Sequence, residues 1–74
     1  MKFSAFRKGA LALATENNSA VEISRDSDIG KYFARYSDGT MITGTPSGYG
    51  LTVRWNANQH QARAVLKNGR ICAR

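Results

Sequence analysis

Arg54, Arg63, Lys67, Arg70 and Arg74 all fall in the C-terminal third of the chain, and no acidic residue follows Asp38. The chemistry such a run supports is the binding of oxyanions. Guanidinium forks match phosphate oxygens bidentately, and a lysine adds a mobile point charge. The five acids Glu16, Glu22, Asp26, Asp28 and Asp38 sit in the first half, where Lys2, Arg7, Lys8, Arg25, Lys31 and Arg35 roughly balance them. The net charge of +6 is therefore almost wholly a property of the second half. Charge segregated this way makes a one-signed field and points to an anionic partner. Tyr49, between Gly48 and Gly50 beside the basic half, adds an aromatic ring of the kind that stacks under unpaired bases. The residues thus read as a non-enzymatic nucleic-acid-binding module, with Arg54, Arg63, Lys67, Arg70 and Arg74 on phosphates and Tyr49 as the stacking residue. The alternative is a small adaptor or inhibitor, such as a phage-encoded regulatory or counter-defence factor, that docks on an acidic protein surface.

Other chemistries lack the residues they need. With one His and one Cys, a single chain cannot assemble the usual tetrahedral zinc site. Asp26, Asp28 and Asp38 are not part of a spaced run of oxygen ligands closed by a Glu, so a calcium loop is not indicated. No glycine-rich loop ends in Lys-Ser/Thr, which leaves P-loop nucleotide binding unsupported. His60 in a ribonuclease-like role would be a general acid or base, but it sits alone in a polar stretch. Cys72 lacks a partner base. No catalytic residue, metal or cofactor is expected.

The Gly48-Tyr49-Gly50-Leu51 run looks like the glycine–aromatic strand of cold-shock domains, but Trp55 follows it where those domains have a tryptophan strand before it. Lys31-Tyr32-Phe33-Ala34-Arg35-Tyr36 is similar to an aromatic strand of RRM domains, without the glycine that strand carries after its basic residue. Neither likeness extends beyond a single strand, and no family is assigned from them.

The elements that must position these residues are short and evenly punctuated. Asn68-Gly69 is a strong two-residue hairpin signal, since a type I′ turn needs positive φ at both central positions. Folding there pairs Lys67 with Arg70, Leu66 with Ile71, Val65 with Cys72, Ala64 with Ala73 and Arg63 with Arg74. Ala62, Ala64, Leu66, Ile71 and Ala73 then share one face, and Arg63, Val65, Lys67, Arg70, Cys72 and Arg74 the other. Both arms agree on the apolar face, which specifies the register. Like charges opposite one another cost roughly 0.2–1 kcal/mol, tolerable on a solvated or anion-bound face. A helix over 57–67, capped by Asn56 and closed at Gly69, competes with this hairpin. At Asp38-Gly39 a second two-residue turn pairs Tyr36 with Met41, Arg35 with Ile42 and Ala34 with Thr43. Residues 44–48 form a loop, Leu51, Val53 and Trp55 alternate inward along another strand, and residues 20–23 form a strand. Phe3, Phe6, Ala10, Leu13 and Ala14 make a helical stripe, read as a short helix or arm over 3–10, while Leu11 and Leu13 also fit a strand entering a turn at Asn17-Asn18.

The expected fold is mainly β: a small antiparallel meander of five or six short strands, a curled sheet or small barrel, with one short helix at 3–10 or 57–67. A chain of 74 residues makes a single domain over 1–74, because domains near this size bury only about 60% of their unfolded surface. No window is apolar enough to span a membrane. The apolar stretch after Arg7-Lys8 is too short for a secretory signal, and one cysteine cannot staple a secreted domain, so a cytoplasmic location is expected. An uncovered strand edge would permit a homodimer.

Overall fold

The apolar stripe near the N-terminus folds as one helix, α1 (Phe3–Glu16), with Phe6, Gly9, Ala10, Leu13 and Ala14 buried. The computed structural model describes residues 1–55 and 61–73. Helix α1 lacks a side-chain N-cap and has no acid in its first turn or base in its last. An isolated helix of this length is marginal in water, so α1 depends on tertiary packing. It stops where Asn18 turns left-handed (φ 51°). There the Asn18 N–H bonds to the Thr15 carbonyl and the Ser19 N–H to the Ala14 carbonyl, a Schellman closure. The anticipated helix over 3–10 is therefore too short, and the strand reading of Leu11 and Leu13 is overturned: Leu13 and Ala14 complete the buried stripe.

Six strands follow: β1 (Val21–Asp26), β2 (Lys31–Tyr36), β3 (Met41–Gly44), β4 (Gly50–Arg54), β5 (Gln61–Lys67) and β6 (Arg70–Ala73). They form one antiparallel meander in sequence order. The sheet curls into a half-barrel, and α1 lies in its concave side against β1, β2 and β6. Both edge strands thus touch the helix, which spans the gap that a closed barrel would fill with a further strand.

Alternation decides the two faces. Tyr32, Ala34, Tyr36, Ile42, Leu51, Val53, Ala64 and Leu66 point inward and are buried with Phe6, Ala10 and Leu13. Phe3, Phe6 and Tyr32 form a ring cluster, with Phe3 edge-on to Tyr32 at 5.2 Å. The Arg25 guanidinium stands 5.0 Å from the Phe3 ring centroid at the sheet's end. Trp55 packs half-buried against the same core. Gly44 lets the Phe6 ring approach the sheet; a Cβ there would lie 3.0 Å from Phe6 Cδ1.

The C-terminal hairpin has the register read from Asn68-Gly69: Lys67 faces Arg70, Leu66 faces Ile71, Val65 faces Cys72 and Ala64 faces Ala73. Asn68 and Gly69 both have positive φ (54° and 75°), as a type I′ turn requires. Gln61–Lys67 is strand, which overturns a helix over that stretch. Period-two burial of Ala64 and Leu66 against β4 outweighs the helix propensity of the alanines. The Arg63–Arg74 pair, the Asn56 cap and His60 lie outside the described residues.

The other hairpin differs by one residue. Arg35 faces Met41, Ala34 faces Ile42 and Phe33 faces Thr43. The loop is Ser37-Asp38-Gly39, with the Gly39 N–H donating to the Tyr36 carbonyl and the Tyr36 N–H to the Thr40 carbonyl. Gly39 takes φ 90°, as in a three-residue turn with a bulged glycine. The Asp38 carboxylate also accepts the Thr40 N–H at 2.9 Å. The shift sends Ile42 into the core and turns Met41 outward beside Phe33 and Arg35, the reverse of the two-residue reading.

Candidate nucleic-acid interface

The outward residues of the meander line up across the strands. One row runs Ser24, Phe33, Thr43, Thr52, Arg63, and the next runs Glu22, Arg35, Met41, Arg54, Gln61. Beyond them Asp26 faces Lys31, and Lys67 faces Arg70 at the far hairpin. Among the described residues this convex face carries Lys31, Arg35, Arg54, Arg63, Lys67 and Arg70. Its acids, Glu22 and Asp26, are both on β1, directly across from Arg35 and Lys31. From β3 to β6 there is no acid, so the positive field grows toward β5.

A shallow groove of about 300 Å³ lies in this face, with Lys31, Thr43, Thr45, Thr52 and Arg63 on its walls and the backbone of Gly50 beside them. The Thr45 hydroxyl donates to the Ser47 carbonyl at 2.9 Å, and two cations flanking the Thr43 and Thr52 hydroxyls make a donor array suited to phosphate oxygens. Arg54 is half-buried next to Met41, and its Nε–H is buried without a hydrogen-bond partner among the described residues. Leaving such a donor unsatisfied costs about 1–3 kcal/mol.

Tyr49 sits in the loop before β4 with its side chain exposed (62%). Its backbone is held: the Tyr49 carbonyl accepts the Leu66 N–H at 3.0 Å. The Met1 nitrogen donates to the Pro46 and Gly48 carbonyls at 2.7 and 2.6 Å, which ties the same loop to the N-terminus. The ring is thus displayed next to β5 from a fixed backbone.

Of the residues expected from sequence, Arg54, Arg63 and Lys67 come together on the convex face, with Tyr49 at its margin. Arg70 is on the same strand pair, but its guanidinium forms an ion pair with Glu16 of α1. Arg74 lies outside the described residues. Lys31, Arg35, Phe33, Thr43 and Thr52 also stand on this face and escape a reading by charge count, which sets Lys31 and Arg35 against the N-terminal acids. The signal was the alternation of β2, which separates Phe33 and Arg35 from the buried Tyr32, Ala34 and Tyr36. Only the true β2–β3 register carries that separation onto β4 and β5. Cys72 is exposed on this face, across from Val65.

No protein-family model, no curated protein and no solved structure matches this chain. Among the described residues no helix is long and apolar enough to cross a membrane.

Proposed function

We propose that the chain is a small nucleic-acid-binding module that holds a phosphate backbone on the convex face of its sheet. The observation that carries this reading is the run of cations over β2–β5, faced across the sheet by acids on the edge strand β1 alone, around a hydroxyl-bearing groove. Lys31, Arg54, Arg63 and Lys67 are the phosphate contacts, and Tyr49 stands ready at the margin. A module of this kind performs no chemistry; it binds by charge and releases counterions on doing so.

Anisotropy of labelled single- and double-stranded DNA and RNA tests this directly. Four phosphate contacts make affinity fall about 50- to 150-fold between about 50 and 200 mM salt. Lys31→Glu and Arg63→Glu should weaken binding to unrelated sequences equally. No binding to any nucleic acid at the lower salt would overturn the reading. The half-exposed Phe33, Met41 and Val65 among the cations favour a second reading, an adaptor or inhibitor docked on an acidic protein. In that case the charge reversals would matter toward one protein partner alone.

A further inference from the structure

We propose that the ligand of the convex face is a single strand, laid across the sheet with one base stacked on Phe33. This rests on the phosphate-binding reading above and narrows it to a class of nucleic acid. Apart from the exposed Tyr49 at the margin, the other aromatic residues have structural duties. Phe3, Phe6 and Tyr32 pack on one another, the Tyr36 hydroxyl bonds to the Ala10 carbonyl, and Trp55 leans on the core. Phe33 stands on the opposite side of β2, half-exposed, with no ring partner among the described residues. An aromatic ring on the side of β2 that faces away from α1, among cations and threonines, does nothing for the core.

Its surroundings suit a nucleotide. Lys31 and Arg35 are two residues to either side of Phe33 on the same face of β2, each about 7 Å away along the strand. They can hold the phosphates on both sides of a base that covers the ring. Across the sheet, Phe33 faces Thr43, Thr43 faces Thr52, and Thr52 faces Arg63. The base therefore has hydroxyls beside it, and the backbone has a further cation at the end of the row. A duplex hides the faces of its bases inside the stack, so only an unpaired base can use this ring. Stacking on aromatic side chains tolerates any base, because every base has a π-face.

The test is anisotropy with a labelled single strand of about 12 nucleotides, within the span typical of such sites, and with the same sequence as a duplex. Wild type, Phe33→Ala, Phe33→Leu and Phe33→Trp are compared, each first checked for an unchanged melting transition. The single strand should bind at least about tenfold tighter than the duplex. Phe33→Ala and Phe33→Leu should each weaken single-strand binding by about 5- to 100-fold, with duplex binding unaltered, and Phe33→Trp should retain it. Salt-dependent binding that is equal for duplex and single strand, or that ignores Phe33→Leu, would overturn this inference while leaving the phosphate face standing. Absence of binding by any nucleic acid would remove both.

Discussion

The Tyr36 hydroxyl donates a 2.8 Å hydrogen bond to the Ala10 carbonyl, joining the end of β2 to the middle of α1 inside the core. This contact adds a polar tie between α1 and β2 to the apolar stripe that already orients the helix against the sheet. Tyr36→Phe should lower stability by about 0.5–1.5 kcal/mol in urea unfolding, with no change of fold. Burial, with the nearby Asp38 charge second, pushes the Tyr36 phenol up to about 12. A folded-state value raised above the unfolded value contributes stability in full below about pH 10, and that contribution is lost as pH rises through about 12. In alkaline titration, ionisation of one of the three tyrosines should therefore coincide with loss of the far-ultraviolet signal, and Tyr36→Phe should remove that phase.

At Gly44 the sheet has no room for a side chain. A Cβ would lie 2.9 Å from Leu51 Cδ2 and 3.0 Å from the Phe6 ring, both held in the core. Gly44→Ala should cost about 1–3 kcal/mol by overpacking. Gly50→Ala is the control: nothing lies within 4 Å of the added atom, and its effect should stay within about 0.5 kcal/mol. Equal losses at the two positions would refute the close approach of Phe6.

Asp38 makes the 37–39 turn sensitive to acid. The bonds it accepts from the Thr40 backbone and then the Thr40 side chain hold its carboxyl below the ordinary value. A depressed folded-state value contributes stability above the unfolded value of about 3.9 and loses it as pH falls further. Asp38→Ala should destabilise the domain at neutral pH, and the difference from wild type should shrink as pH falls below the ordinary carboxylate value, as read from thermal melts along a pH series.

Glu16 withdraws one cation from the proposed interface by pairing with Arg70. Both side chains are largely exposed (43% and 65%), so Glu16→Gln should change stability by less than about 1 kcal/mol. If the face binds phosphates, the freed Arg70 should steepen the salt slope by about one contact, roughly 0.7–0.9, and tighten binding at low salt. A slope unchanged by Glu16→Gln would place Arg70 outside the binding surface.

Much of this architecture is written locally in the chain. The Asn68-Gly69 turn, the alternation along β5 and β6, and the helical stripe from Phe3 to Ala14 each depend on residues within a few positions of one another. The Asp38-Gly39 hairpin was legible as a turn but not in its register. A two-residue and a three-residue loop share the same Asp-Gly, and Gly39 decides for the longer one by adopting a bulged conformation that Asp38 and Thr40 close. That single residue reverses which of Met41 and Ile42 is buried. It also determines whether Phe33 and Arg35 share a face with Arg54 and Arg63.

The amino-acid sequence by itself determined the fold class, the strand-rich punctuation and the segregation of charge, because propensity, turn chemistry and side-chain type act over short range. Only the tertiary structure decided which cations stand together. Lys31 and Arg35 join Arg54 and Arg63 through three successive strand pairings, while Arg70 is drawn to Glu16 by a helix more than fifty residues away. Side chains so far apart in sequence meet only when the whole meander has curled around α1, and no local rule encodes that distance.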